Sequence, residues 1–158
     1  MLCFILWPVL QLAAAHFCHR LPDRVLSPRS WFFRSHDFED GGRIYQKIFR
    51  VRRWKHLLPD GNITRKRPRF RKKHLEDFSA ENLDRFLVES ARAELTHWLA
   101  MPFFWVFGFF VPARVIWYML IYALLANLPC IIAQRYNRPR VQRLLARMKP
   151  RGFIEDGA

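Results

Sequence analysis

The chain has 158 residues, room for one domain, of which 51% are hydrophobic and 16% aromatic, with a formal net charge of +14. Soluble globular domains seldom combine these features, because so many aromatics and so much charge compete for one small surface. Along the chain the apolar residues gather in three blocks, with basic stretches between and after them, which predicts a small all-α membrane protein with residues 1–158 as a single membrane domain.

The first block, residues 1–18, reads MLCFILWPVLQLAAAHFC. Crossing a bilayer takes ~20 helical residues, within a range of roughly 17–25, so each of the three blocks is near the minimum. The small residues of LAAAH also fit the end of a cleaved signal peptide. Nothing basic precedes the apolar run, however, and cleavage would leave the next, basic segment outside. A retained transmembrane helix is the expectation.

Residues 20–92 hold 19 Lys/Arg against 10 Asp/Glu. Ile44, Tyr45, Ile48, Phe49 and Val51 recur at helical intervals, with Arg43, Lys47 and Arg50 between them. This predicts a basic amphipathic helix on the inner leaflet, ended by PDG at 59–61. TRKRPRFRKK, 64–73, reads as a solvated or headgroup-binding loop. Ser79 is the expected N-cap of a helix that runs on into the second apolar block. At ~100° per residue, Leu83, Leu87, Ser90, Glu94, His97 and Met101 share one stripe of it, while Arg85, Glu89 and Arg92 lie opposite as exposed, mutually pairing charges.

The second block, 95–111, and the third, 115–133, are parted only by PAR at 112–114. They predict a tight helical hairpin, kinked at Pro102, Gly108 and Pro129. Asn127 is an amide within the third crossing and needs a partner there. Residues 134–158 carry 7 Lys/Arg against 2 Asp/Glu. Pro139 suits the first turn of a new interfacial helix, with Val141, Leu144, Leu145 and Met148 on one side and Arg140, Arg143 and Arg147 on another. Since the hairpin tip holds Arg114 alone, the positive-inside rule places both basic segments in the cytoplasm. About three transmembrane helices plus cytoplasmic interfacial helices satisfy that rule, with the N-terminus outside and the C-terminus cytoplasmic. Nucleic-acid binding would account for the bases but not for the apolar blocks.

Two constellations carry chemistry. Glu94 and His97 sit three apart on one helix, so the carboxylate is placed to orient the imidazole, whose pKa near ~6.5 suits a general base at neutral pH. His56 and Asp60 in KHLLPD form a second such pair. Arg135 and Arg138, with Arg92, Tyr136, Asn137 and Asn127, are the expected substrate-binding residues. The competing reading gives Glu94 and His97 a structural hydrogen bond or ion pair to an arginine of the C-terminal segment, and makes His56 a surface residue before a turn and the arginines an anchor on acidic lipid. An E-x-x-H step also occurs in di-metal bundles, but those need a second step and none exists here. Cys3, Cys18 and Cys130 lack metal-ligand spacing and read as small buried hydrophobes. No metal or cofactor is expected.

LPD at 21–23, RRWKHLLPDG at 52–61, ESARAELTHW at 89–98 and ANLPCIIAQRYNRPR at 126–140 resemble, in that order, the bacterial glycosyl-4,4'-diaponeurosporenoate acyltransferase family. The segment from Asn62 to Phe78 resembles it least. The resemblance implies a multi-pass enzyme of the bacterial cell (inner) membrane, in carotenoid biosynthesis toward staphyloxanthin. Such an enzyme esterifies a sugar hydroxyl of a glycosylated carotenoid with a fatty acyl group. On that basis the partners are membrane lipids, a lipid acceptor and a fatty acyl-CoA donor. His97 oriented by Glu94 is the expected base, with Arg135 and Arg138 on the donor's phosphates and Asn137 or Tyr136 at the oxyanion. Another lipid-linked sugar or alcohol as acceptor, or a non-catalytic membrane protein binding acidic lipid or a partner enzyme, are the alternatives.

Overall fold

The computed structural model describes residues 2–58 and 79–148, and the regular structure of these is helical throughout. Helix α1 (Leu2–Arg20) buries Trp7, Ala14 and Cys18 along one stripe and leaves Ile5, Val9, Leu12 and Phe17 exposed. A helix end strands its last carbonyls without intrahelical partners. Here a neighbouring helix supplies the donor. Arg92 donates to the carbonyls of Cys18 at 2.6 Å, His19 at 3.3 Å and Leu21 at 3.1 Å. A cation at a helix C-terminus is also favoured by the helix dipole. Asp23 at 2.5 Å and Glu89 at 3.5 Å balance its charge. Arg92, expected on an exposed face, is therefore buried, because α1 and its last turn cover that face of α3.

The chain then turns back over the bundle, burying Leu26 and Phe33 against Ala91. A 3₁₀ turn, Asp37–Gly42, leads into α2 (Arg43–Phe49), which is only seven residues long and stops at Arg50, a residue with φ of 50°. The expected leaflet helix thus takes a different form. Tyr45 and Val51 pack on Ile132 and Tyr136, while Ile48 and Phe49 stay exposed. One edge docks on the bundle because the left-handed residue at position 50 swings Val51 inward. The PDG turn, Asp60 and the 64–73 run lie outside the described residues.

Helix α3 (Ala80–Ala100) starts where Ser79 accepts the Asn82 amide at 3.4 Å, which is the expected cap. Leu83 and Leu87 bury against Leu145. At Met101 the α-helix gives way to a 3₁₀ stretch, Met101–Phe109. Pro102 has no N–H for the Trp98 carbonyl, so the regular ladder fails there.

Helix α4 (Ala113–Met148) is 36 residues long, about 54 Å at the α-helical rise. It continues through Pro129 and Pro139, so the separate interfacial helix expected after Pro139 is a continuation of the third block instead. Pro139 leaves the Arg135 carbonyl without its i+4 donor. That carbonyl and the next form the floor on which the Asp37–Gly42 turn sits. A Cβ on Gly42 would come within 3.2 Å of the Arg135 oxygen and 3.1 Å of the Tyr136 oxygen, and its φ is 84°. Only glycine fits both conditions.

The three apolar blocks meet at one end of the bundle, where Trp7, Phe107 and Ala123 form a buried cluster and the Trp7 and Phe107 rings stack at 5.5 Å. Among the described residues, α4 is the one helix long and apolar enough to cross a membrane. Trp117, Tyr118, Ile121 and Leu125 on it are exposed. The buried charged residues Glu39, Arg92, Glu94 and Arg138 lie outside this cluster.

Candidate active site

Ser90, Glu94 and His97 line one face of α3, as their helical spacing requires. Facing them on α4 are Asn127, Gln134, Arg135 and Arg138, which share one side of that helix at ~100° per residue. A buried carboxylate is costly unless charge and hydrogen bonds compensate it, and Glu94 is 0% exposed. Arg135 Nε donates to its Oε1 at 2.7 Å, and so does the Trp98 indole at 3.2 Å. Arg138 forms an ion pair with Oε2 at 2.6 Å.

Glu39, from the 3₁₀ turn before α2, is the second buried carboxylate. It accepts Arg135 at 2.8 Å, the Tyr45 hydroxyl at 2.6 Å and the His36 amide at 3.0 Å. Burial alone would raise the Glu39 carboxyl. The hydrogen bonds from Tyr45, Arg135 and His36 outweigh burial and hold it below its ordinary value of 4.5. Burial, and then the same bond to Glu39, push the Tyr45 hydroxyl up. The Phe32 and Phe33 carbonyls take further bonds from Arg135 and Arg138 at 2.8 and 2.7 Å. Two arginines and two glutamates thus form a charge-balanced layer that ties the 21–42 segment to α3 and α4.

His97 lies at the edge of this layer. Its Nδ1 is 2.9 Å from Asn127 Oδ1, and Asn127 Nδ2 donates to the Ala123 carbonyl at 2.9 Å. The second bond fixes the amide's orientation, since a carbonyl must be met by its NH₂. The oxygen therefore faces the imidazole, and in the neutral ring Nδ1 carries the proton while Nε2 carries the lone pair.

An apolar groove of about 470 Å³ opens between the 3₁₀ stretch and α4, lined by Trp98, Pro102, Phe104, Trp105, Ala123 and Leu124. That volume lies within the roughly 300–1,000 Å³ of small-molecule sites. The groove touches the polar layer twice. Trp98 bonds Glu94, and the Ala123 carbonyl holds Asn127.

The sequence-predicted residues divide into groups. Glu94, His97, Asn127, Arg135 and Arg138 come together. The Glu94 oxygens meet Arg135, Arg138 and Trp98, the pairing with C-terminal arginines that the competing reading holds, and Asn127 instead of Glu94 stands beside the imidazole. The guanidiniums expected to hold phosphates already face Glu39 and Glu94. Tyr136, nine residues on from Asn127, is about 180° round α4. It is buried on Val51 and Ile132, and its hydroxyl accepts Arg52 Nε at 2.9 Å. Asn137 Oδ1 accepts Lys55 Nζ at 3.1 Å. His56 is exposed on the Lys55–Leu57 3₁₀ turn, its proposed partner Asp60 lies outside the described residues, and Arg92 caps α1. Glu39, Tyr45 and Gln134 join the site without being candidates for it in the sequence. Gln134 accepts the Ser90 hydroxyl at 2.8 Å. Among the described residues no three His, Cys, Asp or Glu side chains are grouped to hold a metal ion.

The family model for glycosyl-4,4'-diaponeurosporenoate acyltransferase matches residues 28–147, which include the whole charged layer. A protein of that name from Staphylococcus aureus (strain MRSA252) is 37% identical over 156 residues, covering 98% of this chain and 92% of its own. Those of strains bovine RF122 / ET3-1 and N315 are 36% identical over the same shares. No solved structure matches the chain.

Proposed function

The chain belongs to the glycosyl-4,4'-diaponeurosporenoate acyltransferase family, and from that membership we propose that it esterifies a sugar hydroxyl of a glycosylated carotenoid with a fatty acyl group. The observation that carries the mechanism is the His97–Asn127 contact, linked through the Ala123 carbonyl to the lining of an apolar groove. His97 Nε2 takes the proton of the sugar hydroxyl as that oxygen attacks the carbonyl carbon of an acyl-CoA thioester. The C–S bond then breaks and coenzyme A leaves as the thiol. Asn127 holds the imidazole in the tautomer this requires. Glu94, Arg135 and Arg138 act as positioning residues, fixing α3 against α4 so that imidazole and groove stay in register. The groove receives an apolar chain, and the sugar lies at the polar layer. His56 with Asp60 is the alternative base.

The topology we propose has the basic segments and C-terminus cytoplasmic and the N-terminus outside, in a multi-pass cell-membrane protein. The second block has 15 residues from Leu95 to the end of the 3₁₀ stretch. The stretched 3₁₀ rise takes them to ~27 Å, close to the ~30 Å hydrocarbon core. Introducing the gene into cells that accumulate the glycosylated carotenoid tests this reading. A pigment heavier by one acyl group is the expected product, and an unchanged pigment in cells holding folded protein would overturn it.

A further inference from the structure

The far side of α4 carries three cations around one ring. The Arg140 guanidinium carbon lies 3.5 Å from the centroid of Tyr136, Lys55 Nζ lies 5.3 Å from it, and Arg52 Nε bonds the hydroxyl at 2.9 Å. Arg143 follows on the same side, held to the Pro139 and Gly41 carbonyls. The ring attracts cations through its quadrupole, which accounts for part of the clustering. It does not neutralise three charges. Among the described residues the ion-paired carboxylates are engaged elsewhere: Asp40 with Arg43, Asp23 and Glu89 with Arg92, and Glu39 and Glu94 with Arg135 and Arg138. One side of α4 therefore matches each arginine with a glutamate, while the other side holds like charges together against their repulsion.

We propose that Arg52, Lys55 and Arg140 form a binding site for a phosphate group, separate from the buried layer. Arg52 uses Nε, and Arg140 uses one terminal nitrogen on the Tyr136 carbonyl at 2.6 Å. The rest of both guanidinium forks has the geometry that grips phosphate oxygens in pairs, and Lys55 adds a point charge. Tyr136 is 1% exposed and wedged between Val51 and Ile132, so the platform beneath the cations is rigid. The phosphate belongs either to a nucleotide-bearing acyl thioester or to the headgroup of an anionic phospholipid.

Two titrations of the full-length protein test the site and separate its sources: palmitoyl-coenzyme A binding in neutral detergent, and association of labelled phosphatidylglycerol in phosphatidylcholine nanodiscs. R52Q/R140Q should weaken one or both by about tenfold or more, the loss of at least one charge-assisted hydrogen bond. K47Q/R53Q removes equal charge from exposed positions and should change binding by less than about twofold, as screened surface charges do. K55Q alters one exposed side chain and should weaken binding severalfold, even if the double variant fails to fold. Loss confined to palmitoyl-coenzyme A assigns the site to the donor, and loss confined to phosphatidylglycerol assigns it to lipid. Equal loss in both double variants, or wild-type binding by K55Q, would overturn the proposal. Binding is read without turnover, so an inactive protein would count against acyl transfer and leave this site standing.

Discussion

The imidazole of His97 and the carboxamide of Asn127 meet between α3 and α4 with Nδ1 and Oδ1 2.9 Å apart. Asn127 is itself pinned by the Ala123 carbonyl one turn back, so the ring is oriented by a fixed acceptor. Replacing Asn127 with Leu should lower kcat within the ~10²–10⁴-fold range of general-base catalysis, with KM changed little. Asn127→Asp keeps an acceptor for Nδ1–H but adds a negative charge that favours imidazolium. It should retain more activity than the Leu variant and move the pH–rate profile upward. A merely structural Asn127 would leave that profile in place.

Glu94→Leu should destabilise the fold severely. It leaves Arg138, 2% exposed, without its carboxylate, and breaking one side of a buried pair costs about 3–5 kcal/mol. The double variant E94L/R138M removes both charges and should recover much of the loss. Thermal unfolding of the three proteins in one detergent checks the order, with the single variant lowest.

Acid should weaken the junction between the 21–42 segment and α4. The Glu39 carboxyl has a lower pKa in the folded protein than its ordinary 4.5. Its stabilising contribution is therefore complete above 4.5 and fades as pH falls through the folded-state value. Melting temperatures measured from neutral pH downward should drop below 4.5, and Glu39→Gln should flatten that drop.

Gly42→Ala should loosen the same junction from the backbone side. The added Cβ meets two carbonyl oxygens at 3.1 and 3.2 Å and is strained at a φ of 84°, a penalty of about 1–3 kcal/mol for the conformation alone. Limited proteolysis after the 21–42 segment should accelerate in this variant, while a substitution at exposed Arg29 should have no such effect.

The α3 stripe was legible in the sequence because helical periodicity alone dictates it: Leu83, Leu87, Ser90 and Glu94 are all buried where the ~100° step puts them. The Ser79 cap was legible for the same local reason. Partner choice was legible only as an alternative. Glu94 and His97 share a face, which favours a local pair, and an ion pair to an arginine of the C-terminal segment competes with it; two arginines 41 and 44 positions further on take the carboxylate, and Asn127 takes the imidazole. Arg92 read as surface charge because nothing in its own helix shows that the end of α1 lies over it. Glu39 sat unnoticed among the acids of DFEDGG, and only the left-handed residues that follow carry it to α4. Pro139 misled in the opposite direction: the helix tolerates it where Gly42 and the arginine side chains meet the exposed backbone.

The proposed mechanism turns on Nε2 of His97 removing the proton from the attacking hydroxyl. The direct test is the initial rate of acyl transfer by His97→Gln, assayed beside His56→Gln with equal amounts of folded protein in the same membrane. A fall of about 10²–10⁴-fold is expected for the first variant, with a near wild-type rate for the second. Full activity in His97→Gln, or loss confined to His56→Gln, would contradict it.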